Sequence, residues 1–165
     1  MKPQNLQWKD KTEVKKGEIG ETIVKQYLEK KGMIVYEPKT DGAHAFDILA
    51  IKNKEKVCIV EVKTKPKRKF YNDTGIDISS FKTYQKVSKD HNLKLFIFFV
   101  DENEKKIYGN SLNELLKEVE DKKKYPLIEN NIIYFHMNNM ITISNLNEKQ
   151  AEEIKRYSNI NEKYK

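Results

Sequence analysis

The sequence predicts an α/β protein with a mixed central sheet flanked by helices. Three observations predict it. Three apolar runs of strand length, Ala45–Ile51 (AFDILAI), Val57–Val62 (VCIVEV) and Leu93–Val100 (LKLFIFFV), are almost continuous, as in strands covered on both faces. An amphipathic helical stripe precedes them, formed by Val14, Ile19, Ile23, Tyr27 and Leu28. The elements then alternate as helix, three strands, helix, two strands and helix, an order that builds a layered α/β sandwich.

Each element has its own signal. The first helix is expected over Lys11–Lys31, closed by Gly32 as C-cap. Gly17 and Gly20 fall inside it, where each costs about 1 kcal/mol against Ala; close approach of another backbone, or a later helix start, would explain them. Met33–Tyr36 is a short strand. Lys52–Lys56 (KNKEK) is a polar turn that makes Ala45–Ile51 and Val57–Val62 a hairpin. Thr64–Gly75 reads as a basic loop and Ser79–Asp90 as a helix capped by Ser79 or Ser80. After the Leu93–Val100 strand, Lys106–Tyr108 is a short fifth strand. A helix to about Val119 starts at Ser111, with Glu114 completing a capping box. Asn131–His136 and Met140–Ser144 are expected to pair as a small hairpin around Asn138 and Asn139, followed by a helix over Asn147–Tyr157. We expect one domain over 1–165, with a core over about 11–119 and a hairpin–helix appendix over about 120–165.

Composition sets the partners. The chain has 165 residues, 35% of them charged, and a net charge of +7. That balance favours an anionic partner, nucleic acid before a membrane surface. A single cysteine, Cys58, excludes an internal disulfide framework and a cysteine-built zinc site, and reads as a packed thiol. The longest apolar run, Leu95–Val100, is far too short to span a membrane, and the N-terminus shows no secretory h-region. The expectation is a soluble cytoplasmic protein.

Two acids interrupt the apolar strands, Asp47 and Glu61. An ionisable group there is costly unless paired or metal-bound. The midpoint of positions 47 and 61 is Lys54, the centre of the polar turn. A hairpin closing symmetrically at Lys54 sets Asp47 opposite Glu61, on one face, with Cβ atoms about 4.5–5.5 Å apart. Alternation puts Lys63 on the same face. Two carboxylates this close need a cation between them. Mg²⁺, which takes oxygen ligands and keeps several waters, suits them better than Lys63 alone. Two carboxylates, Mg²⁺ and a lysine form a site for phosphodiester hydrolysis. In so basic a chain the substrate is most simply a nucleic acid.

These residues resemble a known superfamily. Asp47 followed by Glu61-Val62-Lys63 is similar to the signature of the PD-(D/E)xK nucleases, which have the restriction-endonuclease-like fold, although Phe46 replaces the usual proline. Gly17-Glu18-Ile19-Gly20-Glu21, leading into Ile23, Val24, Tyr27 and Leu28, resembles the first helix of small Holliday-junction resolvase-like members. The resemblance covers about Gly17 to Gly109. It implies that Glu21 joins Asp47 and Glu61 around the metal, with Glu18 as fallback. It also implies that Lys63 is catalytic and that Gln85 lies beside the site. The implied activity is a Mg²⁺-dependent DNA endonuclease, Mn²⁺ substituting, on substrates that include branched or junction DNA. A homodimer fits, because two strands need two sites.

Other readings stand beside this one. Asp47, Glu61 and Lys63 could form a buried ion network, and the chain could be a non-catalytic nucleic-acid-binding module or an RNA endonuclease. Lys65, Lys67, Arg68 and Lys69 leave directly from the candidate catalytic strand and are expected to contact phosphates, giving affinity without sequence preference. Lys122–Lys124 reads as a remote surface run. His44 is the only histidine near the site in sequence. Trp8 stands in a polar N-terminal segment, where it could dock on the body or on a partner chain.

Overall fold

The computed structural model describes residues 11–38, 45–53 and 55–162, with side chains to residue 158. Trp8, His44 and Lys54 lie outside the described residues. In chain order the elements are α1 (Thr12–Lys30), β1 (Ile34–Tyr36), β2 (Ile48–Lys52), β3 (Lys56–Thr64), β4 (Asp73–Asp77), α2 (Ile78–Asp90), β5 (Lys94–Asp101), β6 (Lys106–Ser111), α3 (Leu112–Leu115), β7 (Val119–Glu120), β8 (Lys124–Tyr125), β9 (Leu127–Glu129), β10 (Ile132–His136), β11 (Ile141–Asn145) and α4 (Glu148–Glu162).

The central sheet has six strands in the order β1-β2-β3-β5-β6-β11. Only β3 and β5 run parallel; the other neighbours are antiparallel. The parallel pair needs a crossover, which β4 and α2 provide. The sheet is therefore mixed and flanked by helices, as the apolar runs predict.

Both faces are covered, which is why the strands read as continuous apolar runs. On one face Ile48, Ala50, Val60, Val62, Phe98 and Val100 pack with Val24 and Leu28 of α1 and Ile154 of α4. On the other, Ile59, Ile97 and Phe99 pack with Tyr84 of α2 and with Ile133 and Phe135 of β10.

Several expected elements differ. Asp47 stands just before β2, not inside a strand. The expected 64–75 loop yields β4, which pairs with β10 in a second sheet, β4-β10-β9. That pairing dissolves the expected C-terminal hairpin. β10 faces β4 and β9, whereas β11 pairs with β6 at the edge of the central sheet. A 3-10 turn at Met137–Asn139 carries the chain from one sheet to the other. Leu146 and Ile154 complete the α1-side core, so the C-terminal segment is built into the sandwich. α3 is a single turn, and its Ser111 makes no side-chain cap bond. Nor does α2 begin with a serine cap; Asp77 holds that position.

Gly20 has a steric reason. A Cβ there would lie 1.8 Å from Thr64 Oγ1 and 3.1 Å from its Cβ. The close neighbour is thus a side chain on β3 rather than a backbone. Gly17 meets nothing nearer than Glu21 Oε1 at 3.9 Å. Gly20→Ala should therefore destabilise by about 1–3 kcal/mol through overpacking, reversing the gain of about 1 kcal/mol that helix propensity alone gives. Urea unfolding of Gly20→Ala, Thr64→Ala and the double variant checks this: Thr64→Ala should recover most of the loss.

Candidate active site

The β2–β3 register pairs Ile48 with Val60 and Lys52 with Lys56, the symmetric register expected of this hairpin. Continued by one residue, it sets Asp47 against Glu61. Asp47 does not extend the ladder with its backbone. Its Oδ2 accepts the Val62 N–H at 2.8 Å, which pins the carboxylate at the sheet's end beside Glu61.

Glu61 is 1% exposed. Its Oε1 accepts a hydrogen bond from Lys63 Nζ at 2.6 Å, while its Oε2 is buried with no hydrogen-bond partner. Burial pushes the Glu61 carboxyl up to about 7; Asp47 adds to this and Lys63 opposes it. Burial alone would lower the Lys63 pKa. Glu61, then Tyr84 and Asp47, more than reverse that, so its ammonium is held above the ordinary lysine range. Asp47, Glu61 and Lys63 thus lie together on one face at the sheet's end.

Glu21 approaches from α1. It is half-buried, and its carboxyl is pushed up to about 7 by burial first and by Asp47 second, with Lys63 pulling the other way. Those couplings put it within electrostatic reach of the site. Glu18 instead lines a groove between α1 and α4 with Gln150 and Tyr157.

Tyr84 was not singled out from the sequence. Lys63 Nζ lies 3.2 Å from the Tyr84 hydroxyl, which accepts its hydrogen bond, and 5.5 Å from the centre of the ring. Burial and Glu61 raise the phenol to about 12. A signal existed: Phe81, Tyr84 and Val87 recur at helical spacing and pack toward the same core. Gln85 follows Tyr84 and is half-buried; the described contact to Lys63 comes from Tyr84.

Among the described residues, no three acidic, histidine or cysteine side chains converge tightly enough to form a ready metal site. The donors nonetheless suit a hard divalent ion. They are carboxylate oxygens, and one of them, Glu61 Oε2, is buried without a partner.

The basic loop does not present all its charges outward. Arg68 donates Nε to Asp73 Oδ1 at 2.6 Å and Nη2 to Oδ2 at 2.5 Å. It also bonds Glu129 at 3.2 Å and stacks 3.7 Å from the Tyr134 ring centre. Lys65 is half-buried and donates to the Gly75 carbonyl at 2.9 Å; burial lowers its pKa. Lys67 pairs with Glu104 at 3.1 Å. Lys69 is the one of the four that is exposed. Arg68, expected to face phosphates, has a structural partner in the fold: its fork is filled by a buried carboxylate that needs it.

The fold is similar to that of a Holliday junction resolvase. That protein, Hjc of Archaeoglobus fulgidus, matches with a TM-score of 0.54 and 12% identity, over 74% of this chain and 90% of that one. At this identity the likeness is one of fold. No protein-family model and no curated protein sequence matches the chain. No helix among the described residues is long and apolar enough to cross a membrane.

Proposed function

We infer that the chain is a divalent-metal-dependent DNA endonuclease of the PD-(D/E)xK type, acting on branched or junction DNA. The observation that carries this is the pair Asp47 and Glu61, set against each other by the hairpin register, with a buried unpaired Glu61 oxygen and Lys63 at 2.6 Å. The resolvase-like fold supports the nuclease class, and the name of that neighbour supplies the substrate. The net charge of +7 fits a polyanion.

Asp47, Glu61 and Glu21 would hold Mg²⁺, with Mn²⁺ as substitute. When bound, the ion neutralises charge on the scissile phosphate and makes a water more acidic. Lys63 stays protonated and offers its N–H groups to a phosphate oxygen or to the attacking water. Tyr84, accepting from Lys63, fixes the direction of that ammonium. Tyr84→Phe should therefore lower turnover about tenfold while leaving the fold intact, since it removes the hydroxyl's hydrogen bonding to Lys63 and Glu61 and keeps the ring. Single-turnover cleavage and a thermal melt on the same sample check it. The deciding experiment incubates the protein with Mg²⁺ and linear, circular, branched and single-stranded DNA. Cleavage that EDTA abolishes, and that favours the branched substrate, is expected. No cleavage of any substrate overturns the reading.

The acids also fix a pH dependence. Glu21 and Glu61 titrate near 7 in the folded protein, against an ordinary 4.5. Between those values the folded state keeps protons that the unfolded state has released. Metal-free stability therefore falls as pH rises from about 4.5 to about 7, then levels. Mg²⁺ must displace those protons, so its stabilising effect grows over the same window. Melting in EDTA and in Mg²⁺ at about pH 5.5 and about pH 8 should show the larger metal-induced shift at the higher pH. Glu61→Gln should flatten both trends.

A further inference from the structure

Two basic segments that are distant in sequence meet beside an exposed aromatic ring. Lys67, Lys69, Phe70 and Tyr71 of the loop after β3 line one surface pocket with Asp121 and Lys122 of the β7–β8 turn; its volume is about 270 Å³. The Lys122–Lys124 run is therefore a neighbour of the first basic loop, not remote from it. Phe70 is 74% exposed. A single exposed ring is ordinary, but this one differs from its neighbours. Both cations near Tyr71 hold it in place: Arg68 lies 4.4 Å and Lys123 5.0 Å from its ring centre. Among the described residues, the cation set against Phe70 is the Lys69 ammonium at 5.6 Å, and Lys69 and Lys122 are themselves exposed.

The loop holds this ring on a fixed base. Lys65 bonds Gly75, the Arg68 side chain clamps Asp73, and the Arg68 N–H bonds the Asp73 carbonyl at 2.9 Å. Rigid ends with a projecting aromatic tip present a stacking surface at low entropic cost. Phe70 is seven steps along the chain from Lys63, a span of at most about 25 Å. One nucleic acid can therefore touch both.

Resting on the nuclease reading above, we propose that Phe70 is a stacking platform for an unpaired base of the substrate, with Lys69 and Lys122 on the flanking phosphates. The substrate class is then DNA carrying a single-stranded or splayed nucleotide next to the cleavage site. Aromatic stacking tolerates any base, and phosphate contacts carry no sequence. A fully paired duplex offers Phe70 no exposed base face except at its ends.

The test uses the full chain in EDTA, where binding is read without cleavage. The probes are a single strand of about a dozen nucleotides bearing one 2-aminopurine, and the same strand in a duplex with paired, capped ends. The parent protein should quench 2-aminopurine in the single strand and leave the duplex signal unchanged. Phe70→Ala should remove the quench and weaken single-strand binding about tenfold, whereas Phe70→Trp should retain both. Lys69→Ala with Lys122→Ala should lower the salt slope on single strands by about 1.4. Unchanged quench and affinity in Phe70→Ala, with a melt like the parent's, overturn the platform. If that result accompanies Mg²⁺-dependent cleavage by the parent, only the platform falls. If Phe70 governs single-strand binding yet nothing is cleaved in Mg²⁺, the platform stands and the nuclease reading falls. If no nucleic acid binds, both fall.

Discussion

Arg68→Ala should lower folding stability by about 3–5 kcal/mol, the largest loss expected from any single charge on the surface loops. Asp73 is 0% exposed. Both its oxygens accept from the Arg68 fork, and Oδ2 also accepts from the Tyr125 hydroxyl at 2.6 Å. Without the guanidinium, a carboxylate is left in the second sheet with one neutral donor. The stacking on Tyr134 and Tyr71 disappears as well. Arg68→Lys should recover only part of the loss, because an ammonium can neither form the paired bonds nor lie flat on the rings. A role for Arg68 in phosphate contact alone predicts the reverse pattern, a stability change under about 0.5 kcal/mol and a clear loss of DNA affinity. Urea unfolding separates the two. A midpoint for Arg68→Ala equal to the parent's would show that Asp73 does not depend on it.

That contrast shows where the sequence is legible. The hairpin register could be read because two acids interrupt otherwise apolar strands at equal distances from a polar turn. The pattern carries both the pairing and the shared face, and the Ile48–Val60 pair agrees with it. The central sheet could be read for a related reason, since burial on both faces leaves long apolar runs. The second sheet could not. β4 is Asp-Thr-Gly-Ile-Asp, short and polar in composition, and its partner β10 is distant in the chain. Nothing local announces that Asp73 is buried, so Arg68 reads as one more charge in a basic run. Nor does an isolated strand reveal its sheet: β10 and β11 are adjacent in sequence and of similar length, yet only the 3-10 turn between them shows that they part. Glu21 and Glu61 were legible as residues, but their shared rise to about 7 depends on burial that only the packed fold supplies.

Asp47→Asn should abolish Mg²⁺-dependent cleavage while keeping the fold and the binding of DNA. The amide oxygen can still accept the Val62 N–H that Asp47 holds at 2.8 Å, so the geometry survives and the charge does not. Asp47→Ala is the less clean variant. It forfeits that hydrogen bond, worth about 1 kcal/mol, against which relief of repulsion with Glu61 and Glu21 works in the opposite direction. Removing a negative charge beside a polyanion leaves affinity equal or higher. Lys63→Ala should also stop turnover, but its stability signature differs. It leaves the buried Glu61 carboxyl, already raised to about 7, beside the neutral Tyr84 hydroxyl and free of the ammonium that opposed the rise. The folded state then holds its proton to higher pH, so the loss is greatest above that range in EDTA. It should shrink on acidification or on adding Mg²⁺. A structural Glu61–Lys63 ion pair in a non-catalytic binding module predicts otherwise: a loss at neutral pH that Mg²⁺ does not repair, and a parent protein whose melt ignores the metal. Melts of the parent, Asp47→Asn and Lys63→Ala with and without Mg²⁺, beside cleavage of a branched substrate, decide between them. A parent that neither gains stability from Mg²⁺ nor cleaves would leave Asp47 and Glu61 as structural acids only.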